Sequence, residues 1–269
     1  MINTGSFATD LIFENAGIAA YVLLITFILG TVFGSFINCL AWRVVHHESI
    51  VSGRSHCATC DHPLSALDLV PVISYVVLKG RCRYCHEKIS PRYMITELIM
   101  GCTFLVIMLR YGICFDTARY LALSCVLLAL SLVDLDIYEI PNGFIAAAVI
   151  IWAVTVPLVH DTWQDQLIQG AIGAFAIAGG MLLISLIFDK VSGRESLGGG
   201  DIKLFFVVGL YLGGLCGFLC VIVSCVIGLV FVVLLKKQKI PFGPSISIGL
   251  LLCAMWGDKA VNWYMNLLL

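Results

Sequence analysis

Apolar residues gather along this chain in long unbroken runs, with the polar residues collected between them. The first run, Gly17 to Leu40, holds 24 residues, enough to span a hydrocarbon core of about 30 Å at about 1.5 Å per residue. Further runs follow near 93–109, 119–133, 142–159, 167–188, 202–215, 217–235 and 244–268. Together they predict an all-α polytopic membrane protein with about eight transmembrane helices. The count is least fixed across 202–235 and at Trp256-Gly257-Asp258-Lys259, which interrupts the last run. Paired glycines at Gly179-Gly180 and Gly213-Gly214 suit close helix contact in a bilayer. Only 41–92 is a long stretch without a spanning segment, so a small polar domain is expected after the first helix.

A cleaved secretory signal is the other reading of the first run. Its flank, Met1–Asn15, carries no Lys or Arg and contains Asp10 and Glu14, whereas signal peptides begin with positive charge. A retained helix is therefore expected.

Composition strengthens the membrane reading. Of 269 residues, 60% are hydrophobic and 12% charged, and mean hydropathy is +1.01; soluble domains carry roughly 25% charged residues. The net charge of −1 gives no sign of a nucleic-acid partner, but charge placement is informative. With the N-terminus outside, the inner segments 41–92, 134–141, 189–201 and 236–243, with Lys203 at a boundary, hold 13 of the 16 Lys and Arg residues. Arg110, Arg119 and Lys259 fall outside. This is the positive-inside asymmetry, and the acidic loop 161–165 with its interfacial Trp163 agrees with it.

The domain at 41–92 is thereby placed in the cytoplasm. It carries Cys57-Ala-Thr-Cys60 and Cys82-Arg-Tyr-Cys85, 21 residues apart. Two such knuckles supply four thiolates to one tetrahedral zinc, with the residues between them forming the arms of a ribbon. Disulfides are the alternative, and a reducing compartment disfavours them. Four cysteine ligands leave no open position, so the expected zinc is structural. His56, His62 and His86 flank the knuckles as substitute ligands.

Acidic residues beside membrane helices are costly and mark function. In Ser131-Leu-Val-Asp134-Leu-Asp136-Ile-Tyr-Glu139-Ile-Pro141-Asn142 an apolar run meets acids and then a Pro-Asn break. In Leu197-Gly-Gly-Gly200-Asp201-Ile-Lys203 three glycines precede an aspartate that begins an apolar run. Both fall on the inner side, and glycines permit close backbone approach, so Asp201 is expected against Asp134 or Asp136. Two close carboxylates share one proton. One then serves as base to water while the other polarises a carbonyl, which is amide hydrolysis without a nucleophilic side chain. Plainer readings stand beside this: Asp201 as a helix N-cap, and Asp134 as a polar residue ending a helix.

Taken together, the segments resemble the prepilin peptidase family, the GxGD-type aspartyl proteases, from about Gly30 to Gly243. The elements occur in family order: Gly34-Ser-Phe-Ile-Asn38; the four cysteines with Pro71-Val-Ile-Ser-Tyr75 and Gly80-Arg-Cys82; Ile89-Ser-Pro-Arg-Tyr93 with Glu97; Asp134 with Ile140-Pro-Asn142; Gly198-Gly-Gly-Asp201-Ile-Lys203; and Ile240-Pro-Phe-Gly-Pro244. The Ser-Pro-Arg segment follows the family pattern loosely. The resemblance implies Asp134 and Asp201 as the catalytic pair, with Asp136 the competitor for the first role. It implies cleavage of a basic leader from prepilins and pseudopilins at the cytoplasmic membrane face. It also implies N-methylation of the new terminus from S-adenosylmethionine, an activity tied to the cysteine-bearing domain. The expected division is 1–40 with the first helix, 41–92 as the four-cysteine domain and 93–269 as the membrane peptidase domain.

Two rivals differ in what they require. A proton-coupled transporter would place acids within helices and show an inverted repeat; the acids here end helices and no repeat is evident. A non-enzymatic assembly subunit would tolerate Asp201→Asn.

Overall fold

The computed structural model describes residues 15–50, 53–159, 163–193, 197–235 and 240–268. The chain forms two compact units, Met1–Cys125 and Val126–Leu269.

In the first unit, α1 (Ala16–Val45) starts where the Asn15 side chain accepts the N–H groups of Gly17 and Ile18. It continues five residues past the apolar run, because hydropathy marks the lipid-facing part of a helix and not its end. Against it lies α3 (Arg92–Tyr111). A Cβ at Gly30 would stand 2.8 Å from the Gly101 Cα, and one at Gly34 would stand 2.8 Å from the Glu97 Cα. Small residues let the two backbones touch. The buried Asn38 amide then ties α1 to the Tyr93 carbonyl and the Thr96 hydroxyl of α3.

Between these helices the expected ribbon arms are absent. Among the described residues, extended pairing there is limited to the isolated bridges His56↔Pro63 and Arg81↔Lys88. The interval between the knuckles instead forms a 3-10 turn, Ala66–Leu69, and the short helix α2 (Ile73–Val77). The Asp68 carboxylate accepts from both the backbone N–H and the hydroxyl of Ser65, a capping box that commits the segment to helical turns.

The second unit receives the end of α4 (Phe115–Ile137) and holds α5 (Asn142–Val159), α6 (Trp163–Ser192), α7 (Gly199–Leu235) and α8 (Gly243–Leu268). Trp163, expected in a loop, begins α6, while Asp161 lies outside the described residues. At 37 residues, α7 would measure about 55 Å if straight. It is broken at Gly213, whose φ is +70°. A Cβ at Gly217 would lie 3.8 Å from the Gly209 Cα, though eight residues of straight helix cover about 12 Å. The chain therefore doubles back at Gly213, and the two runs read from the sequence are the arms of one helical hairpin. The interruption at Trp256–Lys259 proves helical: α8 runs through it, and the Cys216 thiol donates to Asp258 at 3.3 Å.

The glycine contacts differ from expectation. A Cβ at Gly179, Gly180 or Gly214 would meet nothing, whereas at Gly173 it would collide with the backbone of Gly209 and Gly213. The close approach of α6 and α7 is thus made one to two turns earlier along α6 than the paired glycines suggested. The core of this unit combines Leu127, Leu130 and Val133 of α4 with Leu204, Phe205 and Val208 of α7 and Ile246 and Leu250 of α8. Large apolar side chains point outward, among them Leu183, Ile184, Ile187, Leu229 and Val233.

Among the described residues, five helices, α1, α3, α4, α6 and α7, are long and apolar enough to cross a membrane; α5 is apolar but shorter. An apolar exterior over polar helix ends is what a lipid solvent selects. This is a multi-pass membrane protein.

Candidate active site and metal centre

Asp134 sits one turn before the end of α4. The Tyr138 N–H closes that turn on the Asp134 carbonyl at 2.9 Å, and Tyr138 adopts φ +58°, a left-handed helix stop that is uncommon for a residue other than glycine. Pro141 then delays the next helix to Asn142. Asp134 is only 4% exposed, and its Oδ2 accepts the Gly243 N–H at 2.8 Å. That donor is one of the free N–H groups opening α8. One turn back, the Ser131 hydroxyl donates to Ser247 at 3.0 Å, bracing α4 against α8.

Asp201 occupies the first turn of α7. Its N–H donates to the Gly198 carbonyl at 3.0 Å, and its carboxylate returns to the Gly198 backbone. It therefore stands three residues inside the helix rather than at the N-cap position, which Gly198 holds. A Cβ at Gly200 would meet that of Ile140 at 3.0 Å, and the Lys203 ammonium donates to the Asn142 side chain at 2.8 Å. These contacts press the start of α7 onto the Pro141 break. As a result Asp201 lies within range of the Asp134 charge. Asp136 and Glu139 are exposed instead.

The sequence reading assigned no role to Gly243 or to the Ser131–Ser247 bond. The signal for the first was present: a glycine just before Pro244, at the start of an apolar run, marks a backbone that must approach something closely.

The four knuckle sulfurs all lie within 4.8 Å of one another. Thiolates about 2.3 Å from a tetrahedral zinc are about 3.8 Å apart, and Cys57 and Cys85 stand at 3.9 Å. The two knuckles repeat one set of bonds. The N–H of Cys57 donates to His62 and that of Asp61 to Cys57, while Cys82 donates to Glu87 and His86 to Cys82. Asp61 and His86 both turn through positive φ. No cysteine is joined in a disulfide. His62 packs on the Tyr84 ring and His56 on Trp42, and among the described residues the gathered ligand atoms are the four thiols.

Burial pushes the Cys57 thiol up, but the backbone of Thr59 and Cys60 and the thiols of Cys60 and Cys82 bring it down to about 7. At Cys85 a backbone bond from Glu87 pulls down, yet burial and the three neighbouring thiols push it up to about 12. The cluster can hold a metal ion.

Two regions of the chain match families of known proteins. Residues 28–111 match the Bacterial Peptidase A24 N-terminal domain, and residues 121–233 match the Type IV leader peptidase family. A prepilin leader peptidase/N-methyltransferase of Bacillus subtilis (strain 168) is 32% identical over 262 residues, covering 92% of this chain and 100% of the relative. Proteins of the same description from Aeromonas salmonicida (strain A449) and Pseudomonas putida are 33% and 30% identical; they cover 80% and 93% of this chain and 76% and 96% of their own lengths. No solved structure matches. With relatives this similar along almost its whole length, the chain belongs to the type IV leader peptidase family.

Proposed function

We propose that Asp134 and Asp201 are the catalytic pair of an aspartic endopeptidase that removes the leader from type IV prepilins and pseudopilins. The observation that carries this is the placement of Asp201, in the first turn of α7, within range of the charge of the buried Asp134 of α4, where Gly200 packs on Ile140 and Lys203 bonds Asn142. One takes a proton from water as its oxygen attacks the scissile carbonyl, and the other gives its proton to the carbonyl oxygen. Collapse of the tetrahedral adduct breaks the C–N bond, and a proton passes to the departing amine. Charge placement supports a site at the cytoplasmic face of the cell membrane. There a substrate's apolar helix stays in lipid and its basic leader meets the exposed Asp136 and Glu139.

The same reading makes the four-cysteine domain at 41–92 a cytoplasmic structural zinc site, with Cys57, Cys60, Cys82 and Cys85 as ligands and 93–269 as the peptidase part. The relatives are named as N-methyltransferases, which supports methylation of the new terminus by this chain. S-adenosylmethionine would supply the methyl group, its C–S bond breaking as the neutral amine gains the N–C bond, with the thioether leaving and the amine losing a proton.

Co-expression with a prepilin tests both activities. Leader removal should occur with the wild type and Asp136→Asn and vanish with Asp134→Asn and Asp201→Asn, and the mature N-terminus should be heavier by one methyl group. Leader removal surviving in both Asp134→Asn and Asp201→Asn would sink the peptidase reading.

A further inference from the structure

Two separate segments of the first unit converge on one buried side chain, Glu97 of α3, which is 7% exposed. From α1, the Ser35 side chain bonds its carboxylate. From the turn before α2, the Val72 N–H donates to Oε2 at 2.7 Å. Val72 itself stands at φ +62°, ψ −51°, and the Ile73 N–H bonds across it to the Pro71 carbonyl at 2.5 Å. A β-branched residue in this conformation is a genuine outlier. Such strain persists only where the surroundings over-determine it, as at ligand clamps.

Glu97 faces an open cavity of about 670 Å³ bounded by α1, α2, α3 and both knuckles. Sites for ligands of nucleoside size span about 300–1,000 Å³. Its wall includes Trp42, Tyr75 and Tyr93, the polar Ser35 and Asn38, and the basic Arg43, Arg83 and Lys88, which suit the carboxylate of an amino-acid moiety as Glu97 suits a cation. Aromatic faces beside a carboxylate recognise a cation that also carries apolar surface.

We propose that this cavity binds S-adenosylmethionine, with the Glu97 carboxylate as the counter-charge to its sulfonium. The proposal rests on the methylation reading above and goes beyond it by assigning the donor a place. The residues fit the group in volume, in aromatic surface and in charge. Because the Val72 N–H needs only an acceptor, Glu97→Gln keeps that hydrogen bond and removes the charge alone.

The test is equilibrium binding to the purified full-length protein in lipid nanodiscs, without prepilin. Radiolabelled S-adenosylmethionine is compared with S-adenosylhomocysteine, which lacks the positive charge. Ser74→Trp, which fills the cavity from α2, should weaken both ligands at least tenfold. Glu97→Gln should weaken the methyl donor at least tenfold more than the thioether. Ultraviolet crosslinking of the wild type, read by peptide mapping, should place the label within 32–43, 53–69 or 71–97, the segments that line the cavity. Label elsewhere, or undiminished binding by both variants, overturns the cavity assignment while leaving methylation intact. A wild type that cleaves prepilin but binds no donor overturns the methylation reading and this proposal with it.

Discussion

The backbone N–H of Gly243 donates to Oδ2 of Asp134 at 2.8 Å, across 109 residues of sequence, and the contact leaves no room for a side chain. A Cβ at 243 would stand 2.5 Å from that oxygen. Gly243→Ala should push the carboxylate from its place without unfolding the protein. Misplacement by about 1 Å costs on the order of 100-fold in rate, so leader cleavage by purified enzyme should fall by about that factor. Gel-filtration behaviour should stay that of the wild type.

Lys203 and Asn142 hold the start of α7 on the Pro141 break through a 2.8 Å hydrogen bond. Lys203→Met should cost about 1 kcal/mol, the worth of one charged hydrogen bond near the surface. It should lower the melting temperature and reduce cleavage less than Gly243→Ala does. Thermal unfolding in detergent, followed beside initial rates, checks both.

Much of this arrangement was legible beforehand, for identifiable reasons. Apolar runs and Lys/Arg placement report the solvent around each segment, so the spans read directly. The CxxC spacing predicted a cluster because four sulfurs at that spacing reach one point. Which glycines lie between helices was not legible. That depends on the face each residue presents, and Gly170 and Gly173 differ from Gly179 and Gly180 only in position along α6. The helical interval between the knuckles was missed because two zinc turns are compatible with either strands or helices between them, and the Ser65–Asp68 capping box is a local signal inside a loop. The hairpin at Gly213 could be read only as two runs, since a φ of +70° leaves no trace beyond the glycine itself.

If the four-thiol cluster holds zinc as proposed, Cys60→Ser or Cys85→Ser should lower bound zinc from about one equivalent to near zero. Because thiolates must be deprotonated to bind, zinc release from the wild type should begin as pH falls below neutrality. Elemental analysis after dialysis at stepped pH measures it. Retention of zinc by both variants would count against the four-thiol ligand set.

Beside the knuckles, the Asp68 carboxyl is held down at about 2, first by the Ser65 hydroxyl and, against the opposing effect of burial, by Arg83, whose Nε stands at 2.6 Å. An aspartate whose folded value lies below the unfolded one of about 3.9 stabilises the fold above that pH. The contribution disappears as pH drops through about 2. At pH 7, Asp68→Asn should cost about 1 kcal/mol after allowance for the half-exposed Arg83. Chelator should then strip zinc faster from the variant.

The exposed Glu139 predicts a charge effect on substrate choice. Glu139→Gln should raise the KM for a leader rich in Lys and Arg several-fold and leave a neutralised leader unaffected. The loss should shrink as salt is raised. Equal effects on both leaders would remove Glu139 from recognition.

The most direct test of the paired-carboxylate mechanism is a double-mutant cycle on leader cleavage with Asp134→Asn and Asp201→Asn, in enzyme whose fold and zinc content match the wild type. Residues that act as one unit lose activity together. Each single substitution should abolish cleavage by about 1,000-fold or more, and the double variant should be no slower than either. Cleavage retained above about a tenth of the wild-type rate in either single variant, or losses that multiply in the double, would contradict a shared-proton aspartate pair.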